Sequence, residues 1–224
     1  MLNAASVINA DTRFTHAGQI LTTSFEPTWY WCFESLFWPE QIMRICEICE
    51  RGEEEEALTE GIEDPKQANH NIRKNKVSWH NNEELYSMLR GSLDKVNKQS
   101  GWNYNITVIE PIQYTIYYGD QNHYHWHTDT TVGENSKLNN TIRKISCSIQ
   151  LTDPSKYEGG EFELMVGNHV GSEDEFKVEP LPLPHYKEKG SAMFFPSFTY
   201  HRVKPVTKGI RRSLVVWFRG PKWQ

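Results

Sequence analysis

The stretch QYTIYYGDQNHYHWHTD, residues 113–129, decides how the rest of the chain is read. Gln113 to Tyr118 is rich in aromatic and β-branched residues and reads as a strand, and Gly119 and Asp120 mark a turn. The remainder reads as a returning strand that ends in His127-Thr128-Asp129. Side chains at i and i+2 of an extended segment point to the same side, so His127 and Asp129 can reach one ion together. His125 also lies two residues from His127, so a set built on His125 and His127 stays open at this point. Two imidazoles and one carboxylate are the donor set of non-haem ferrous sites, which hold metal on one face and leave the opposite positions open. The missing imidazole must come from elsewhere, and His201 offers it. Arg211, ten residues further on, adds a cation able to hold an anionic co-substrate beside the metal.

The segments downstream agree with a β architecture. Ile145 to Leu151 alternates strictly and so has two distinct faces. Glu158 to Leu164, Gly190 to Pro196, Tyr200 to Val206 and Arg211 to Phe218 follow as short strands between Gly-, Pro- and Asn-bearing loops. That pattern predicts an antiparallel jelly roll or barrel, mainly β with flanking helices. Upstream, Pro39 to Glu50 and Glu83 to Gln99 carry apolar residues at helical spacing. Residues 1–103 are therefore expected to be a helical support on one outer face, and residues 104–224 the jelly-roll core, within one domain. The aromatic run Trp29 to Trp38 reads as a strand entering the first helix, and Glu53 to Glu56 as a solvated helix end or loop. Residues 60–76 read as a loop able to cover a site mouth. Val178 to His185, with three prolines, reads as a stiffened surface connection.

Composition narrows the class further. The 224 residues suffice for one domain with a sizeable core, and 38% hydrophobic residues with 12% aromatics exclude a disordered chain. No run approaches the roughly 20 apolar residues of a membrane span. The start lacks a basic region followed by an apolar run, so the expected compartment is the cytoplasm. A net charge of −5 provides no broad electrostatic footprint for nucleic acid, and none is expected as a partner. Cys46-Glu-Ile-Cys49 has redox-motif spacing, but it falls inside the first helical pattern, where burial explains it better. Cys32 and Cys147 provide no second pair for zinc.

The motifs YHWHTD (124–129), QLTDPSKYEGGEFEL (150–164) and GSAMFFPSFTYHRVKPVTKGIRRSLVVWF (190–218), in that order, resemble the core of Fe(II)/2-oxoglutarate-dependent dioxygenases of the prolyl/lysyl hydroxylase type. IRKNKVSWHNNEELYSMLRGSLDKVNKQSGW (72–102) resembles the region before that core in microbial and phage-type members. The resemblance implies a double-stranded β-helix (a cupin-like jelly roll) with His127, Asp129 and His201 as metal ligands. It also implies 2-oxoglutarate held by Arg211, with Ser213, Tyr117 and Gln150 beside it; some relatives have tyrosine where Gln150 stands. The implied reaction hydroxylates a C–H bond, first of all on a peptidyl proline of a protein or peptide. Fe(II), 2-oxoglutarate and O2 are consumed or held, succinate and CO2 are released, and ascorbate serves as reductant.

Each of these assignments has a plainer competitor. Arg143 is expected at the substrate mouth, or else in a salt bridge. Trp217 reads equally as substrate contact or core, as do Phe194, Phe195 and Val215. Arg212 and Tyr118 alternate away from the site. Gly159-Gly160 reads as a tight turn or close packing. The loops that would choose a substrate are 60–76, 130–142 and 167–189. Lysine or a free amino acid is the alternative substrate on the same reading. A nucleic-acid demethylase on the same fold, a non-catalytic metal-binding or sensing jelly roll, and a capsid- or lectin-like jelly roll are the remaining alternatives.

Overall fold

Strands whose two faces differ in polarity set the architecture. In the computed structural model, which describes residues 28–59, 64, 68–130, 140–169 and 176–222, the elements run in this order. They are β1 (Trp31–Phe33), α1 (Pro39–Cys49), β2 (Glu55–Glu56), β3 (Arg73–Lys74), β4 (Lys76–His80), α2 (Glu83–Gln99), β5 (Val108–Ile109), β6 (Ile112–Tyr118) and β7 (Asn122–His127). There follow β8 (Thr141–Gln150), β9 (Tyr157–Gly159), β10 (Phe162–His169), β11 (Phe176–Pro182), β12 (Ala192–Pro196) and β13 (His201–Pro221). Parts of all three expected substrate loops, and the N-terminal 27 residues, lie outside the described set.

One sheet has the order β1-β12-β8-β13-β6-β4-β2, with β5 on the far end of β13. A second joins β11, β10, β13, β7 and β3, with β9 also on β13. All the pairings are antiparallel and the fold is a jelly roll. The two segments expected as separate strands, Tyr200 to Val206 and Arg211 to Phe218, belong to one continuous β13. Its first part pairs in the second sheet and its second part in the first. Gly209, at φ +71°, stands at the change-over, where the left-handed backbone favours glycine.

Period-2 alternation sorts the side chains. Ile112, Tyr114 and Ile116 of β6, Ile145, Cys147 and Ile149 of β8, and Leu214, Val216 and Phe218 of β13 share one buried cluster. Ile42 and Ile45 of α1 join it, with Leu85, Leu89, Leu93 and Val96 of α2. Each fully buried aliphatic side chain there contributes roughly 1.5–3 kcal/mol. α1 opens with Pro39 behind Trp38, whose N–H donates to Gln41 Oε1 at 2.9 Å. α2 is capped by Asn82, whose Oδ1 accepts from Glu84 N and Leu85 N. The residues between the apolar ones face the other way: Gln113, Thr115 and Tyr117; Ser146, Ser148 and Gln150; Ser213, Val215 and Trp217. Buried polar side chains in three adjacent strands mark this inner face as a site rather than a core.

Several expectations need correction. The segment before residue 104 is more than a helical support, because β1 to β4 also join the two sheets. Glu55 and Glu56 form an edge strand; Glu56 pairs with Lys76 at 2.6 Å, and Trp79 Nε1 donates to Glu55 at 2.9 Å. Residues 73 and 74 form β3 because β7 offers them a free edge. The proline-bearing stretch from Val178 to Pro182 lies in β11, which among the described residues pairs only with β10; an edge strand tolerates residues without an N–H. Cys46 and Cys49 lie in α1 as expected, all four cysteines are free, and burial pushes Cys49 up to about 12, away from thiolate chemistry. Among the described residues, no helix is long and apolar enough to cross a membrane.

Candidate metal and co-substrate site

His127 closes β7, His201 opens β13, and the two stand directly opposite in the pairing of these strands. Asp129 lies just past β7, where its N–H donates to Ser197 O at 2.9 Å and turns the chain back toward the histidines. His127 Nε2 is 3.7 Å from Asp129 Oδ1, and His201 Nε2 is 3.5 Å from Asp129 Oδ2. One atom from each of the three residues falls within 4.8 Å of the others, and His125 is not part of the group. The side chains are 15%, 7% and 6% exposed in chain order, so the cluster is largely enclosed.

Backbone carbonyls fix both imidazoles. His127 Nδ1 is 2.8 Å from His125 O, and His201 Nδ1 is 2.9 Å from Thr199 O. A carbonyl only accepts, so each Nδ1 carries a proton, and Nε2 is the ring atom turned toward Asp129. Burial, reinforced by His201, pushes His127 down to about 3, leaving it a neutral donor. Burial would by itself raise the Asp129 carboxyl. His201, His127, Arg143 and the Ser146 hydroxyl outweigh that effect and hold it at about 2. Ser146 Oγ donates to Asp129 Oδ2 at 2.6 Å and lies 2.9 Å from Ser197 Oγ. Ser146→Ala is expected to weaken metal binding by about tenfold, since the carboxylate loses the bond that orients it; Mn(II) titration of both proteins measures this.

The inner face of β13 carries Arg211, Ser213, Val215 and Trp217 in succession, about 20 Å from first to last at strand spacing. Opposite Arg211 is Tyr117, opposite Ser213 are Thr115 and Gln150, and opposite Val215 are Gln113 and Ser148. Arg211 is fully buried, with its Cζ 5.2 Å from the Tyr117 ring centre and Nη1 3.4 Å from Ser213 Oγ. Among the described residues, its Nε and Nη2 and both amide atoms of Gln150 are buried without a partner. Gly160 (φ +65°) lets the chain pass close to this side chain, since a Cβ there would come within 2.8 Å of Arg211 Cδ. The four residues expected around the co-substrate therefore lie together.

Arg143 forms a bidentate pair with Glu110 at 2.7 and 2.8 Å and lies over the Trp217 ring at 3.9 Å, so its salt-bridge reading is met. Trp217, Val215 and Phe195 line the same pocket as the triad, whereas Phe194 is in the helix-facing core. Arg212 and Tyr118 are partly exposed, on the other face. The sequence reading missed Arg73, Gln113, Thr115, Tyr124 and Phe162, which also line the pocket. Tyr124 was hidden by a bulge. His127 and Tyr124 are three residues apart, yet their partners His201 and Val203 are only two apart, so the irregular pairing breaks the alternation expected of β7.

Residues 112–219 match the family described as the 2OG-Fe(II) oxygenase superfamily. That span contains His127, Asp129, His201 and Arg211. Over this span the chain is similar to a 2OG-Fe(II) oxygenase domain. A relative described as a PKHD-type hydroxylase, from Colwellia psychrerythraea, is 32% identical to the chain over 152 residues, covering 64% of the chain and 59% of the relative. The chain spans 28–59% of the length of the first three such relatives. Among solved structures, a Pseudomonas putida prolyl-4-hydroxylase superposes with a TM-score of 0.60 at 17% identity, covering 86% of this chain and 93% of that one. A Trichoplax adhaerens prolyl hydroxylase, solved with a peptide fragment of the hypoxia inducible factor oxygen degradation domain, gives a TM-score of 0.60 at 16% identity, covering 85% and 83%. At these identities the superpositions support the fold of the oxygenase domain. Its own donor set and its unpartnered guanidinium and amide atoms match the needs of Fe(II) and a dicarboxylate.

Proposed function

We propose that the chain, acting as one domain, is an Fe(II)- and 2-oxoglutarate-dependent oxygenase that hydroxylates a C–H bond, with peptidyl proline as the preferred target. One observation carries the reading. A His-Asp-His cluster lines a pocket with Tyr117 and Ser213, the two side chains against a fully buried Arg211 whose Nε and Nη2 have no partner among the described residues. His127, Asp129 and His201 would hold the metal. Arg211 would receive the distal carboxylate of 2-oxoglutarate through its planar fork, with Ser213, Gln150 and Tyr117 completing the cradle. When bound, the metal supplies the activation of O2 that is coupled to converting 2-oxoglutarate to succinate and CO2. Phe162, Phe195 and Val203 keep water from the triad side of the pocket. Trp217, held from behind by Arg143, would offer the substrate an apolar face; Arg143 is thus assigned to the substrate end through Trp217.

Peptide as the substrate class is supported by the peptide fragment in the Trichoplax structure. Free buried and half-buried cysteines fit a reducing compartment, and we place the protein in the cytoplasm, with ascorbate as its reductant. The test is succinate formation with Fe(II), ascorbate and O2 over proline peptides, lysine peptides, free amino acids and methylated oligonucleotides. Stimulation by proline peptides, with the gain of one oxygen atom in the peptide mass, is expected. Stimulation by another class alone would reassign the substrate. Tight metal binding without turnover on any class would leave a sensing jelly roll.

A further inference from the structure

His127 has a second constraint besides its backbone contact. The Nδ1 bond to His125 O fixes one direction of the ring but leaves it free to tilt about that line. Tyr124 removes this freedom: its ring lies 3.4 Å from the imidazole, centre to centre, with the planes 15° apart. With that face of Tyr124 covered, the guanidinium of Arg73 takes the other, its Cζ 4.5 Å from the ring centre. Arg73 is itself immobilised. Its Nε donates to Asn75 Oδ1 at 2.9 Å, Nη1 to Leu58 O at 3.0 Å and Nη2 to Gln113 Oε1 at 3.0 Å. All three acceptors are neutral, and the side chain is buried. Enclosing a guanidinium among neutral acceptors is costly for stability alone and points to a task at the site. The two-residue β3 delivers it, pairing Arg73 with Tyr124 and Lys74 with His123.

We propose that Arg73 and Tyr124 form a positioning stack that fixes the ring plane of His127, so that Nε2 stays aimed at the point shared with Asp129 and His201. The proposal rests on reading that triad as a metal site. Arg73 acts through Tyr124, and Tyr124 through His127; neither is a ligand.

Mn(II) affinity, measured from the electron paramagnetic resonance of free ion, and the visible bands of Co(II)-loaded protein test it in five variants. Tyr124→Leu and Arg73→Gln are expected to weaken Mn(II) binding by about 10- to 100-fold and to shift the Co(II) bands, as loss of a ligand's orienting partner does. Tyr124→Phe keeps the ring and is expected to match the wild type in both; Arg73→Lys, which keeps the charge without the plane, should fall between. Tyr124→Leu preserves the β7 pairing, so the test stands even if Arg73→Gln does not fold. Wild-type affinity and bands in Tyr124→Leu, or an equal loss in Tyr124→Phe, would overturn the stack. Wild-type protein binding Mn(II) no better than His127→Ala would instead remove the metal reading itself, and the stack with it.

Discussion

Asp129→Ala is expected to abolish metal binding and turnover together. Asp129 is the anionic member of the cluster, with one carboxylate oxygen 3.7 Å from His127 Nε2 and the other 3.5 Å from His201 Nε2. Its carboxyl, held at about 2, is ionised throughout the range in which the protein would work. Without it, a divalent ion would meet two neutral donors in a buried site with no compensating charge. Removing one partner from such a buried arrangement costs roughly 3–5 kcal/mol, which is a loss of more than about 100-fold in affinity. Isothermal titration with Mn(II) reads the affinity, and succinate release reads the turnover. Asp129→Asn separates charge from shape, because it keeps an oxygen at the same reach while removing the negative charge. It should fall with the alanine variant if charge is what the site needs. Retention of Mn(II) affinity in both variants would remove Asp129 from the ligand set.

Arg211→Met is expected to raise the KM for 2-oxoglutarate by roughly 30-fold to several hundred-fold, the effect of losing a buried charge-assisted partner worth about 2–4 kcal/mol. The fall in kcat should be smaller, because the side chain lies at the far end of the strand face from Trp217. The same substitution separates a ligand-binding role from a structural one. Arg211 is fully enclosed, with two nitrogens unpartnered among the described residues, and an apolar chain of similar length removes that desolvation penalty. Thermal unfolding without co-substrate should therefore show the variant at least as stable as the wild type. Arg211→Lys keeps the charge but loses the two-pronged geometry and should bind with intermediate strength. An unchanged KM with a lowered unfolding temperature would make Arg211 a structural residue.

The parts of the molecule legible in the sequence are those set by local periodicity. Helix α2 begins at Glu83 and ends at Gln99, where the apolar spacing places it, and the alternation from Ile145 to Leu151 separates the helix-facing residues from Ser146, Ser148 and Gln150. The spacing His127-Thr128-Asp129 brought those two residues together as expected, and His201 and Arg211 followed from residue type and order. What remained hidden depends on pairing between distant segments. Arg73 and Lys74 form a strand only because β7 has an open edge, and Tyr124 joins His127 only because their pairing with β13 slips by one residue. The prolines of β11 argue locally against a strand, and only its edge position allows one. The break expected at Thr207 to Ile210, between two strands, is where β13 passes from one sheet to the other without ending.

The most direct test of the central claim is anaerobic. Fe(II) and 2-oxoglutarate would be added, separately and then together, while visible absorption is recorded. A charge-transfer band is expected that requires both additions, is absent in His127→Ala, and needs far more 2-oxoglutarate to appear in Arg211→Met. Folded wild-type protein that shows no band with both present would contradict it.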